Sequence, residues 1–147
     1  MYRDMNFKER MKSMKKITQI EGIGEAFSAK LAEAGIVSVE QMLEACKTKK
    51  DRKELADKSG ITEEQITTWA NHADLFRIKG IASQYADLLE AAGVDTVKEL
   101  AQRNPENLTE RMEQLNEEKH LVRSVPYLKM VKKWVAQAQE LPRILEY

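Results

Sequence analysis

The chain has 147 residues, 42% of them apolar and 33% charged, which suits one ordinary domain or two small ones with solvated helical faces. Lys+Arg and Asp+Glu number 24 each, and this zero net charge counts against a dedicated, uniformly basic nucleic-acid binder while leaving room for a local basic patch. The single cysteine excludes an intrachain disulfide framework or a cysteine-based zinc site, and no run approaches the roughly 18 apolar residues of a membrane span.

Residues 1–16 carry six basic and two acidic side chains, a charge of +4, and lack the apolar stretch of a signal peptide. A cytoplasmic protein is expected. Phe7, Met11 and Met14 at i, i+4 and i+7 predict a basic amphipathic helix that docks on its own core, on a protein partner or on a second copy. After Gly24, Phe27, Leu31 and Ala34 recur at helical spacing until Gly35 stops the helix. Ser38 reads as an N-cap, with Val39, Met42, Leu43 and Cys46 on the inner face that follows. KTKKDRK (47–53) reads as a solvated helix start. Thr62 and Gln65 fit a capping box before Ile66, Trp69, Ala70 and Ala73, in a helix expected to run on to Ile78. Pro126 is placed at the first position of the last helix, after Ser124, leading into Leu128, Val131, Val135 and Ala138. No alternating run of β-branched residues suggests a strand, so no sheet is expected.

The chain also repeats itself. IEGIGEAFSAKLAEAGI (20–36) matches IKGIASQYADLLEAAGV (78–94), and SVEQML (38–43) matches TVKELA (96–101). TTWANHADLFRI (67–78) then matches KKWVAQAQELPRI (132–144), aligning Trp69 with Trp134 and Arg77 with Arg143. Two similar blocks in the same order define a first unit over 17–76 and a second over 77–147, with almost no linker and hence one compact all-α body of about nine to ten short helices.

Ile20, Gly22, Ile23, Gly24, Leu31, Ala34, Gly35 and Ile36 resemble the helix-hairpin-helix motif, a hydrophobic-Gly-hydrophobic-Gly turn between two helices. Each extended unit resembles the double helix-hairpin-helix domain at the amino terminus of archaeal recombinases. Residues 92–108 are similar to part of the RNA polymerase alpha carboxy-terminal domain. Across 17–144 the chain resembles a family of unknown function in the helix-hairpin-helix clan. The resemblance implies four hairpins. Gly22, Ile23 and Gly24 form the first and Gly60 the second, either as tight turns between packed helices or as phosphate contacts. Gly80, Ile81 and Ala82 form the third, with alanine for the second glycine, and Ser124 lies in a fourth without glycine. It also implies phosphate binding by hairpin amides at helix N-termini, where donors are unpaired and the dipole favours an anion.

Charge selects among the hairpins. Glu21 and Glu25 flank the first, and Glu63 and Glu64 the second, where they would repel a phosphate. Arg77, Lys79 and Ser83 surround the third, while Arg123, Lys129, Lys132 and Lys133 lie in an acid-free stretch around the fourth. The second unit is therefore the candidate for weak, non-sequence-specific binding of duplex or single-stranded DNA, and a protein-interaction module is the alternative. Trp134 and Tyr127 interleave with the lysines, but tryptophans at matching repeat positions are expected in the core. No enzyme is expected. His72 and His120 fit no metal-ligand spacing, Cys46 has no neighbouring histidine, and phosphate-loop and nucleophile-elbow motifs are absent, so no catalytic residue, metal or cofactor is assigned.

Overall fold

A computed structural model describes residues 15–147, and the amphipathic segment expected over Phe7, Met11 and Met14 lies outside them. A 3-10 turn at Ile17–Gln19 precedes α1 (Glu25–Glu33), α2 (Val39–Ala45), α3 (Lys49–Ser59) and α4 (Glu63–Leu75). There follow α5 (Ser83–Ala91), α6 (Val97–Ala101), α7 (Pro105–Lys119) and α8 (Leu128–Glu140). The described residues contain no strand, only an isolated bridge between Lys16 and Ser38.

Local chemistry starts and stops these helices. Ser38, Thr48, Thr62, Thr96 and Asn104 each accept a hydrogen bond from the amide three residues on, satisfying a donor that the helix cannot. Pro105 follows Asn104 at the first helical position, where its missing N–H is no loss. At the end of α1, Gly35 N–H donates to Ala32 O and Ile36 N–H to Leu31 O, both at 2.9 Å. The end of α5 repeats the pattern, with Gly93 N–H to Glu90 O at 3.0 Å and Val94 N–H to Leu89 O at 2.8 Å.

The sequence repeat is also a packing repeat. In the first half α1 packs on α3, and α2 and α3 pack on α4; in the second, α5 packs on α7, and α6 and α7 pack on α8. Trp69 meets Phe27 edge-on with ring centroids 5.1 Å apart, and Trp134 meets Tyr85 at 5.2 Å. Leu31, Met42 and Ile66 in one half and Leu88, Leu100 and Leu108 in the other are wholly enclosed, within one cluster that spans both.

Between the halves, α4 packs on α5. Helix α4 stops at Leu75 rather than Ile78, because Arg77 N–H turns back to Asp74 O and Ile78 N–H to Leu75 O, both at 3.1 Å, in tight three-residue steps. Asp74 is buried here, accepting the Val97 amide of α6 at 2.8 Å and Arg77 Nη1 at 2.9 Å. Residues 142–147 return across the junction onto the first half. Arg77 Nη2 donates to Pro142 O at 2.6 Å, Glu146 N–H to Lys47 O at 2.7 Å, and Arg52 Nη2 to Glu146 O at 2.7 Å. Leu145 of this strap is buried, and Tyr147 lies against Arg52 and bonds Asn71.

Three local expectations change. Arg52, read as part of a solvated run, is buried because its guanidinium satisfies the carbonyls of Cys46, Lys47 and Glu146. Pro126 is not the first residue of α8. It is buried one position before the N-cap Tyr127, so the helix starts at Leu128, which is 36% exposed, and its buried stripe begins at Val131. The fourth connection is a longer loop, in which His120 takes the left-handed position (φ 51°) that Gly60 holds after α3. The Asn116 side chain braces that loop, donating to Val122 O at 3.0 Å and accepting its amide at 2.9 Å.

Candidate functional site

The first and third hairpins have the same backbone. Ile23 N–H donates to Ile20 O, and Ile81 N–H to Ile78 O, each at 3.2 Å, around Gly22 and Gly80 at φ 92° and 97°. A side chain is excluded at both positions for two reasons. The backbone is left-handed, and an added Cβ would stand 3.3 Å from Trp69 Nε1 at Gly22 and 3.0 Å from Trp134 Nε1 at Gly80. These glycines make room for the tryptophan of their own half. Gly24 and Ala82, by contrast, share an extended backbone, and nothing lies near a Cβ at Gly24. The alanine therefore leaves the third hairpin's shape intact.

Equivalent positions carry different charge. Glu21 and Glu25 of the first hairpin correspond to Lys79 and Ser83 of the third, and Glu63 and Glu64 at the start of α4 correspond to Leu128 and Lys129 at the start of α8. No acid lies in the first turn of α5 or α8, whereas both α1 and α4 have one. Helix dipoles at α5 and α8 are thus left without a carboxylate.

The third and fourth hairpins are adjacent. Tyr85 Oη on α5 donates to Ser124 O at 3.4 Å, and Gln137 on α8 accepts the Lys79 amide at 3.0 Å and donates to Lys79 O at 3.4 Å. Lys79, Arg123, Lys129 and Lys133 are exposed and have no ion pair among the described residues, and Ser83 is half-buried beside them in sequence. Other candidates are spent elsewhere. Arg77 is held by Asp74 and Pro142, and Ile81 is core at 2% exposure. Lys132 reaches Glu106 of α7 at 3.6 Å, on the flank of α8 away from Gln137, because one residue turns about 100° around a helix. Gly60 ends α3 by donating to Ala56 O, and Ile23 is buried.

Acids of the second half also face a buried histidine of the first across the junction. His72 is buried on α4, its Nε2 2.5 Å from Glu90 and 3.8 Å from Asp87 of α5, while its Nδ1 has no partner among the described residues. Burial raises the Asp87 carboxyl above the ordinary aspartate range; His72 opposes this, and Glu21 and Glu90 add to it. Asp95 is raised likewise by burial, with Glu99 and Glu90 adding. Cys46 is buried and its thiol pushed up to about 12 by desolvation, which leaves no nucleophilic thiolate near neutral pH. No group of His, Cys, Asp or Glu among the described residues has the arrangement of a metal site, and none of their helices is long and apolar enough to cross a membrane. Two cavities of about 280 and 390 Å³ flank Tyr147, and neither is lined by Lys79, Arg123, Lys129 or Lys133.

Sequence reasoning missed Gln137, which fastens the third hairpin, and the exposure of Tyr127 at 73%. Gln137 aligns with His72, and a polar residue at matched positions of two buried-face helices was the available signal.

Residues 21–141 match the family described as Domain of unknown function (DUF4332). No curated protein and no solved structure matches the chain.

Proposed function

The chain belongs to that family of unknown function, and from its own surface we propose that it is a non-catalytic helix-hairpin-helix protein that grips the nucleic-acid phosphate backbone weakly, without sequence preference, through α5–α8. One observation carries this reading: at matched backbone positions the acids of the first half give way to lysine or neutral residues in the second, where two hairpins adjoin. Lys79, Lys129, Lys133 and Arg123 supply cations, and the uncapped N-terminal amides of α5 and α8 add donors. Such contacts position a protein on a strand and read no bases.

The test is anisotropy of a labelled duplex against salt. Affinity should fall with a log–log slope of about −0.9 per phosphate contacted. Reversal of Lys79, Lys129 and Lys133 to glutamate should abolish binding, whereas Lys132→Glu, at a lysine already shared with Glu106, should weaken it less. Absence of binding at low salt, or indifference to the triple reversal, refutes the reading.

A protein-interaction module is favoured by a different observation, the exposure of Leu121, Tyr127 and Leu128 around the fourth hairpin. Capture from lysate with and without nuclease separates the two, since partners that survive nuclease belong to this second reading. The segment 1–16 remains its other candidate surface.

A further inference from the structure

Thr62 and Tyr127 occupy the same place in the two halves. Each is the N-cap of a thirteen-residue helix, with φ and ψ of −67° and 149° at Thr62 and −73° and 153° at Tyr127. Thr62 uses the position for what it offers, and its hydroxyl accepts the Gln65 amide at 3.1 Å. Tyr127 cannot, and its helix has no side-chain cap. Nor does its ring fill the core. It is 73% exposed, stacks on no other aromatic ring, and its hydroxyl has no hydrogen bond among the described residues. A tyrosine here forgoes the cap and adds nothing to the core, so its exposed ring is free to meet something outside the chain.

The surroundings say what that something is. Tyr127 sits between Arg123 and Lys129, in a stretch without an acid, and the matched neighbours of Thr62 are Glu63 and Glu64. An exposed aromatic face among cations complements an anionic polymer that carries flat rings. We propose that Tyr127 is a stacking platform for an unpaired base, so that the ligand of α5–α8 is single-stranded nucleic acid or a frayed end rather than an uninterrupted duplex. This rests on the phosphate-binding reading above. In an intact duplex the bases are stacked on one another and offer no free face; in a single strand every base offers one, irrespective of sequence. Lys79, Lys129 and Lys133 would hold the backbone while Tyr127 adds the contact that selects the strand.

The full chain is titrated at fixed low salt with a labelled oligothymidylate, a blunt duplex of equal length, and an abasic strand with the same number of phosphates. The wild type should favour the oligothymidylate over the other two by about tenfold. Tyr127→Ala should remove that preference, binding the oligothymidylate no better than the abasic strand, with duplex affinity unchanged; Tyr127→Phe should retain it. Because the ring is exposed, thermal melting should be the same in all three proteins. Equal loss on strand and duplex, or none on either, overturns the assignment. If Lys79→Glu weakens both probes while Tyr127→Ala weakens neither, phosphate binding stands and the stacking role falls. If nothing binds at low salt, both fall, and loss of a nuclease-resistant protein partner in Tyr127→Ala would give the ring to a protein interface instead.

Discussion

Trp69 and Trp134 serve their halves in the same way. Each lays its indole nitrogen against the glycine of a turn far earlier in the chain and its ring against an aromatic residue a few positions beyond that turn. On the outside of the same turns the two halves disagree, with Glu21 against Lys79 and Glu64 against Lys129. The difference reflects what each layer tolerates. A buried ring that fills the space over a glycine has no alternative of the same shape, whereas an exposed charge changes stability by only about 0.5 kcal/mol or less and can diverge with use. The two halves thus share a packing unit and differ at its rim.

The severest challenge to this comparison is to truncate the tryptophans. Trp69→Ala and Trp134→Ala should each cost about 3–5 kcal/mol in urea unfolding, by similar amounts. A large cost in one half and a small one in the other would show that the packing is not equivalent. A smaller effect sharpens the charge contrast. Glu21→Lys combined with Glu64→Lys should give the first half the second half's rim, raising affinity for a labelled strand and steepening the salt slope by about 0.7–0.9 for each phosphate gained. An unchanged slope would mean that the rim charges do not decide binding. The smallest effect concerns the turn after α3 and α7. His120→Gly should stabilise by less than about 1 kcal/mol, because a left-handed backbone suits glycine, and Gly60→Ala should destabilise by about 1 kcal/mol. The pair is read from denaturation midpoints, and shifts of the same sign would refute the equivalence of these two turns.

Much of this was legible in the residues. Ser38 and Thr62 cap as their types and spacing predict, and the matched tryptophans are core as repetition suggests. Contacts between distant positions were not legible. Asp74 caps α6 from 23 residues away, and no local pattern marks it as different from an exposed aspartate. Lys132 and Lys133 look alike in sequence, yet a single helical step sends the first to Glu106 and leaves the second on the flank with Gln137. The placement of Tyr127 depended on where α8 begins. With Pro126 as the first helical residue, the tyrosine would have entered the helix; one residue before it, the same side chain stands clear of the core.

The bond from Arg52 to Glu146 joins positions 94 apart. Helices and their caps form within short spans, so each half can acquire them early, but this closure must wait for almost the whole chain to be made and brought together. One arm of Arg52, Nη2, therefore lacks its Glu146 partner until the strap arrives. The expected late event in folding is the fastening of the second half's tail across the first, and removal of residues 146 and 147 should leave the helices paired and this closure missing.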